Sequence, residues 1–237
     1  MQPQPPPNAP APPPSEAALL SRKKWEWLWM VGVASIIILA LAGLTPPLTA
    51  GRGRSPDQTE AVNHARQIGM ALWEFQTHYG SRPDGSTIEA VRQETSTNLK
   101  LGTKSSNDFF RQLLAVGIVN DESMFYAKIT GARKPDSFLP GTKALEKGEC
   151  AFTYFAGAPK DCSPQRPVAI TPAIAGTDRF DPKPFKGKAI LLRMDNSVTT
   201  LPIRESNGQV WFDGQNLMDP SHPIWEGHAP AIAWPEL

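Results

Sequence analysis

Residues 55–80 read SPDQTEAVNHARQIGMALWEFQTHYG, and they determine the architecture expected for this chain. Ser55 is suited to cap a helix, Pro56 suits the first helical position, and Gln58 completes a capping box. Six apolar residues then recur every three or four positions and share one helix face: Ala61, Ala65, Ile68, Leu72, Phe75 and Tyr79. Gly80 ends the pattern with a typical C-terminal stop. The stretch predicts an amphipathic stem helix whose apolar stripe packs on a sheet or on other helices.

Upstream of the stem helix lies an uncharged apolar run from Trp27 to Leu44. As a helix this run would rise about 27 Å at ~1.5 Å per residue, close to the ~30 Å hydrocarbon core of a bilayer. A buried core helix fits poorly, because such a helix usually keeps a polar stripe. The run predicts a single-pass transmembrane anchor over residues 21–45, which also contains Glu26 and Trp29.

The charged flanks of the anchor set its expected orientation. Lys23 and Lys24 almost abut the apolar run, whereas Arg52 and Arg54 lie beyond a Pro-Pro break. The positive-inside rule therefore places the N-terminus in the cytoplasm and the rest of the chain outside it, with membrane lipid as one partner. A cleaved signal peptide is disfavoured, since its apolar region is only about 7 to 15 residues long.

Composition limits the function classes that we expect. The 237 residues carry 24 Lys+Arg and 23 Asp+Glu, a formal net charge of +1, so nucleic acid is not an expected partner. Eight of the 25 prolines lie in residues 1–14, a composition typical of a disordered or polyproline segment. We divide the chain into a Pro-rich cytoplasmic tail (1–20), the anchor (21–45), a linker (46–54) and an extracytoplasmic domain (55–237).

The pattern within this domain changes from helical to strand-like. Ser86 and Ser105 each begin a capping signal and predict two short helices, and a further turn is expected near Asn120. Short β-branched or aromatic runs then predict strands at 150–156, 167–171, 188–194, 198–203 and 209–212. The pairs 195–196 and 207–208 predict hairpin turns. Helices followed by antiparallel strands predict an α+β fold, with the helices packed on the sheet.

Residues that could carry chemistry give weak signals. Cys150 and Cys162 can either form one disulfide or remain two thiols, and their spacing does not suit zinc. No nucleophile elbow, phosphate loop or His-Glu-x-x-His motif occurs. None of the four histidines has an acidic or thiol residue at a spacing typical of a catalytic or metal site: His64, His78, His222 and His228. We therefore expect no enzyme activity, no cofactor and no metal centre.

Two stretches and the order of the elements resemble bacterial type IV pilins and type II secretion pseudopilins. NHARQIGMAL, residues 63–72, is similar to a stretch of their stem helix. GKAILLRMDNSV, residues 187–198, is similar to a C-terminal hairpin of the large pseudopilin-like families of planctomycetes and verrucomicrobia. Glu26 resembles the acidic residue near the start of their apolar helix. The resemblance implies a pilin-like fold, with the anchor in the bacterial inner membrane and the domain in the periplasm.

The resemblance also implies a function. It predicts a structural or assembly component of a type II secretion or type IV pilus-like system, with other pilin-like or secretion-system subunits as partners. Two features depart from the family: no glycine precedes the apolar run for prepilin cleavage, and Pro46 and Pro47 interrupt what would be one long helix. The alternative is a membrane-tethered envelope sensor or ligand-binding module, which a pocket-forming gap in the sheet would favour.

Two features of the C-terminal part of the sequence each have two possible interpretations. Because major pseudopilins commonly bind calcium in a sheet loop, Asp178 and Asp181, approached by Asp195, are either cation ligands or turn-forming residues. Arg179 between the first two favours turns. The stretch from 224 to 235 holds two tryptophans, and it either lies across the domain or forms an exposed strip for a partner.

Overall fold

The computed structural model of this chain describes residues 55–136, 143–159 and 161–237. The predicted tail, anchor and linker lie outside these residues, and so do four residues assigned to the anchor: Glu26, Trp27, Trp29 and Leu44. Within the described part of the chain, no helix combines the length and the hydropathy that a bilayer crossing requires. The described residues form one compact unit.

Three α-helices come first in the described residues: α1 (Pro56–Tyr79), α2 (Ile88–Thr95) and α3 (Ser106–Ala115). Ser55 opens α1 as predicted, because its hydroxyl accepts the backbone N–H of Gln58 at 3.2 Å. Gly80 ends α1 in the left-handed conformation, which costs glycine little. Ser105 caps α3 in the same way as Ser55, and a 3-10 turn at Glu122–Phe125 matches the turn expected near Asn120.

The capping box predicted before α2 is wrong. Thr87 occupies the N-cap position but makes no capping hydrogen bond, because its hydroxyl instead donates to Oε1 of Gln112 at 2.6 Å. Oδ1 of Asp84 accepts the backbone N–H groups of Ser86 at 2.7 Å and of Thr87 at 3.2 Å. The hydrogen bond from Thr87 to Gln112 on α3 thus takes the place of the predicted capping box at the start of α2.

A five-stranded antiparallel sheet follows, in the order β4-β3-β2-β1-β7. Its strands are β1 (Thr153–Ala156), β2 (Pro167–Thr171), β3 (Lys188–Arg193), β4 (Val198–Pro202) and β7 (Ala231–Ala233), and β5 (Trp211–Phe212) pairs separately with β6 (Gln215–Asn216). The α+β class, the antiparallel sheet and the hairpin at Asn196 are confirmed. The strand predicted at 209–212 joins the small ribbon instead of the main sheet, and β7 was not predicted.

The central strands β1, β2 and β3 are buried on both faces of the main sheet, because their alternate side chains enter two different clusters. Ile190 and Leu192 of β3 pack among the helices, whereas Ala189 and Leu191 pack among the C-terminal residues. Trp225, fully buried, lies in this second cluster. One of the two alternatives for the tail, burial across the domain, is therefore confirmed for Trp225.

The C-terminal layer is held by a small network around Trp225. Its indole N–H donates to the carbonyl of Leu217 at 3.1 Å, and its ring centroid lies 5.0 Å from that of Phe155. The guanidinium of Arg166 donates to the carbonyls of Trp225 at 2.6 Å and His228 at 3.0 Å. These contacts close the face of the sheet opposite the helices.

Candidate functional site

The apolar stripe of the stem helix forms the inner face of α1. Five of its residues are almost completely buried against the sheet, α3 and the 3-10 turn, and the sixth is half-buried against the same cluster: Ala61, Ala65, Ile68, Leu72, Phe75 and Tyr79. The periodicity prediction is confirmed at each of these positions. The ring of Tyr79 stacks on that of Phe75, with centroids 4.4 Å apart.

Gly69 brings the stem helix into close contact with the β3–β4 hairpin. A Cβ atom added at Gly69 would overlap the side chain of Asn196 and would lie 2.9 Å from Cδ1 of Leu192. Asn196 forms the hairpin turn with a φ of 63°, in the left-handed region. Gly69 lies in the stretch 63–72 and Asn196 in the stretch 187–198. The two stretches that resemble pilins therefore pack directly on each other.

The outer face of α1 carries an exposed apolar strip that sequence analysis missed. Met70 is 55% exposed and Trp73 is 65% exposed, and their spacing of three residues makes them neighbours on the helix. Both border shallow recesses that also include Ile118. We call Met70, Trp73, Glu74 and Ile118 the outer flank. The sequence signal that could have revealed this strip is the presence of Met70 and Trp73 at helix positions outside the buried stripe.

The recess beside Trp73 has a volume of about 340 Å³ and an acidic and aromatic lining. Within it, Tyr79 donates its hydroxyl to Oε2 of Glu94 at 2.5 Å, and Nε2 of His78 lies 3.1 Å from Oε1 of Glu94. Burial, with the hydrogen bond to Glu94, raises the pKa of Tyr79 well above its ordinary value. The same hydrogen bond lowers the pKa of Glu94. The arrangement favours a negatively charged recess that attracts cationic groups.

His78 therefore has an acidic partner that sequence spacing did not reveal. Glu94 lies sixteen residues away, on α2, and the fold brings its carboxylate beside His78 at the end of α1. His222 instead bonds within the C-terminal layer, since its Nδ1 accepts the N–H of Ile224 at 3.0 Å. The expectation of isolated histidines is wrong for His78.

The disulfide alternative for Cys150 and Cys162 is also wrong, because both are free thiols in the structure. Cys150 is fully buried, and its Sγ lies 3.4 Å from the hydroxyl of Ser106. Burial raises the pKa of Cys150 to about 11, so this thiol is held in its neutral form. Cys162 is half-buried near the charges of Arg166 and Glu226. The two thiols thus lie in different surroundings.

The three aspartates considered as calcium ligands serve separate hydrogen bonds. Asp178 accepts from two side-chain amides in the C-terminal layer. Asp181 accepts the hydroxyl of Thr130 at 2.7 Å, and Asp195 accepts the backbone N–H of Ser197 at 2.9 Å. Asp181 also accepts the backbone N–H of Lys183 at 3.0 Å, so Asp181 and Asp195 act in their own turns, which agrees with the turn-forming alternative, whereas Asp178 bonds only to distant segments.

Comparison of the chain with protein-family models, curated proteins and solved structures finds no match. The resemblance to pilins therefore rests on the two stretches described above and on the order of the elements. Any function must be argued from the surfaces of this molecule, and the outer flank of α1 is its main exposed apolar feature among the described residues.

Proposed function

We propose that this protein is a membrane-anchored structural or assembly component of a type II secretion or type IV pilus-like system and acts by protein-protein interaction. The observation that carries the proposal is the contact between α1 and the β3–β4 hairpin at Gly69. Gly69 and Asn196 each lie in a stretch that resembles pilins, and their contact joins the stem helix to the hairpin. Their contact supports a pilin-like domain built on a stem helix.

The outer flank of α1 is the surface that we assign to assembly. Large apolar side chains exposed together often mark a protein-protein interface, and a tryptophan is a frequent hot spot. A partner that covered Trp73 would remove much of a ring of ~150–250 Å² from water. The flank also carries Glu74 and borders Glu94, so a partner surface with basic residues would be complementary.

The proposed anchor would limit the neighbours of the flank to proteins that reach the same membrane. Trp73 lies eighteen residues beyond Ser55 on one continuous helix, about 27 Å along its axis at ~1.5 Å per residue. Subunits anchored in the same bilayer would be confined together with this chain. Confinement to one membrane raises their effective concentration, so a modest interface is sufficient.

The alternative function, a membrane-tethered ligand-binding module, is favoured by the recess beside Trp73. Its volume of about 340 Å³ is at the lower end of the ~300–1,000 Å³ typical of ligand pockets. The recess lies beside helices α1 and α2 and not in a gap between strands. A small cationic ligand would suit its carboxylates and its two aromatic rings.

Site-specific photo-crosslinking in intact membranes tests the proposal. The probe replaces Gln67, an exposed residue that borders Met70 on the flank, and a matched control replaces Ser206, an exposed residue of the C-terminal layer. We expect adducts with a pilin-like subunit or a second copy from position 67 and none from position 206. Absence of protein adducts at 67, with the protein folded and abundant, would contradict the proposal and favour the ligand-binding module.

Membrane attachment has its own test. A reporter that is active only outside the cytoplasm, fused after Leu237, should be active, and carbonate washing should leave the protein in the membrane fraction. The expectation rests on the apolar run and on the charges before it. Release of the protein by carbonate would contradict the anchor.

A further inference from the structure

Two carboxylates are buried close together at the 3-10 turn Glu122–Phe125. Glu122 opens that turn, and Glu149 directly precedes Cys150. Both residues are fully buried, and an oxygen of one lies no more than 4.8 Å from an oxygen of the other. Two ionised carboxylates so close together in a protein interior repel each other, so a proton on one of them is favoured.

The hydrogen bonds of the pair indicate that Glu122 holds this proton. One oxygen of Glu122 accepts the backbone N–H of Leu145, but its buried Oε2 has no hydrogen-bond partner among the described residues. Glu149 is better compensated, because its Oε2 accepts the N–H of Glu146 at 2.6 Å and its Oε1 lies 3.1 Å from Nη2 of Arg133. An ionised oxygen that is buried without a partner is costly, so protonation of Glu122 is the cheaper state.

The acidic groups around Glu122 favour the same state. Burial, opposed by the Leu145 N–H and reinforced by the neighbouring carboxylates, raises the pKa of Glu122 to about 7. Those carboxylates belong to Glu149, Asp136 and Asp121. Glu122 therefore changes its charge near neutral pH instead of near pH 4.5, the ordinary value for glutamate.

The basic groups of the surrounding segments are exposed or bound to other residues. The half-exposed guanidinium of Arg133 is divided between Glu149 and Glu146. On α3, the guanidinium of Arg111 pairs with Asp108 at 2.8 Å and donates to two backbone carbonyls of the loop before Glu149. Oε2 of Glu122 accepts no hydrogen bond from any described basic group. The same loop also carries three exposed lysines: Lys134, Lys143 and Lys147.

The 3-10 turn is also part of the surface that we assign to assembly. Ser123 and Met124 of the turn line the recess beside Met70 on the outer flank. Directly after the turn, the carbonyl of Tyr126 lies 2.8 Å from Nδ1 of His64 on α1. The position of the turn therefore shapes the recess and its contact with the stem helix.

We propose that the proton of Glu122 is a switch for the outer flank: the turn stays packed while the proton is bound and loosens when the proton leaves as pH rises. This inference rests on the proposed function, because it concerns control of the surface assigned to assembly. Loss of the proton would leave two buried negative charges beside the shared guanidinium of Arg133. Repulsion between the charges, and hydration of the bare oxygen, would then favour a loosened turn.

The direction of the pH effect follows from the raised pKa of Glu122. In the unfolded chain an ordinary glutamate loses its proton near pH 4.5, whereas Glu122 in the folded protein keeps it up to about pH 7. The stability that the proton contributes is therefore fully present below pH 4.5 and is lost as pH rises to about 7. Glu122→Gln keeps a neutral side chain of nearly the same shape at every pH, so it should escape this loss.

Thermal melts of the full chain in mild detergent, between pH 5 and pH 8, test the proton. We expect the melting temperature of Glu122→Gln, relative to wild type, to rise by about 5 °C across this range. Glu146→Gln is the matched control, because it removes another carboxylate that pairs with Arg133 but keeps the buried pair. Its difference from wild type should not change with pH. Parallel curves for wild type and Glu122→Gln would overturn the inference.

Photo-crosslinking from position 67 in membranes at pH 6 and pH 8 tests control of the surface. We expect the yield to fall about twofold or more at pH 8 in wild type and to stay constant in Glu122→Gln. Adducts formed equally at both pH values in wild type would overturn the switch and leave the proposed function standing. Absence of adducts from both proteins at both pH values would contradict the proposed function, and regulation of the surface would fall with it.

Hydrogen exchange of wild type decides the question if Glu122→Gln does not fold. After correction for the intrinsic pH dependence of exchange, the amides of residues 123–126 should open several-fold more often at pH 8 than at pH 6. Equal opening at the two pH values would show that the turn does not respond to the proton and would overturn the inference.

Discussion

The inner and outer faces of α1 belong to the same 24-residue helix but differ in what surrounds them. On the inner face, Leu72 and Phe75 are fully buried between the sheet and α3. On the outer face, Trp73, which lies between them in sequence, is 65% exposed. Burial of each large side chain stabilises a fold by ~1.5–3 kcal/mol. The inner face therefore determines stability, and the outer face is free to serve interaction.

The two faces also occupy the same turns of the helix. Stability needs only the residues that contact the sheet, α3 and the 3-10 turn. The same turns of helix carry Met70 and Trp73 on the opposite side, where no described part of the chain covers them. A substitution can therefore separate the two roles according to the face on which it lies.

The largest effect is expected at the inner face, from Leu72→Asp. This substitution buries a charge in a fully apolar contact and should cost several kcal/mol, enough to unfold a marginal domain. Glu74→Lys, two positions along and exposed, should leave the free energy of unfolding within about 0.5 kcal/mol of wild type. Urea unfolding of the fragment 55–237 measures both. Small, equal losses would show that Leu72 is not buried.

Gly69→Ala should have the next largest effect, because it tests the contact between the two pilin-like stretches. Alanine favours a helix over glycine by ~1 kcal/mol, but overlap with Asn196 and Leu192 should cost ~1–3 kcal/mol, so we expect a net loss of stability. Urea unfolding measures the net change.

A second substitution separates the gain in helix propensity at position 69 from the cost of the overlap with Asn196. Asn196→Gly removes the overlapping side chain at a position whose φ of 63° suits glycine, and it should restore much of the loss caused by Gly69→Ala. A double-mutant cycle on the fragment 55–237 gives the coupling. If Gly69→Ala alone stabilised the domain, the close contact with the hairpin would be refuted.

A smaller effect is expected from Tyr79→Phe, at the boundary between the two faces. The ring stays on Phe75, but the hydrogen bond to Glu94 is lost, so the melting temperature should fall slightly. Because the pKa of Glu94 is lowered in the folded state, its contribution is present above the ordinary carboxyl pKa of 4.5 and is lost as pH falls through the lowered value. Thermal melts at several pH values should show the two proteins converging in acid.

Local signals in the sequence predicted the inner face of α1, the helix caps and one hairpin turn well. The stripe from Ala61 to Tyr79, the caps at Ser55 and Ser105, and the hairpin at Asn196 depend on neighbouring residues, and all are confirmed. Such features follow from helical spacing and from turn chemistry. The resemblance to pilins stays a prediction.

The features that sequence did not predict depend on distant contacts. Strand β7 has three residues and forms only because β1 offers an open edge. The layer around Trp225 needs strands from across the domain, and the carboxylates of Glu122 and Glu149 lie close together although 27 residues separate them. No local periodicity or motif in the sequence predicts these contacts. The exposed position of Trp73 likewise follows from what the rest of the fold leaves uncovered.

The most direct test is Trp73→Ser, with stability and interaction measured on the same protein. The full chain carries the photo-reactive probe at position 67, with and without the Trp73→Ser substitution, and both the crosslinked yield in intact membranes and the melting temperature are recorded. We predict a change in unfolding free energy within about 0.5 kcal/mol together with loss of most of the crosslinked product. An unchanged yield, or a loss of stability like that of Leu72→Asp, would contradict the assignment of the outer face to assembly.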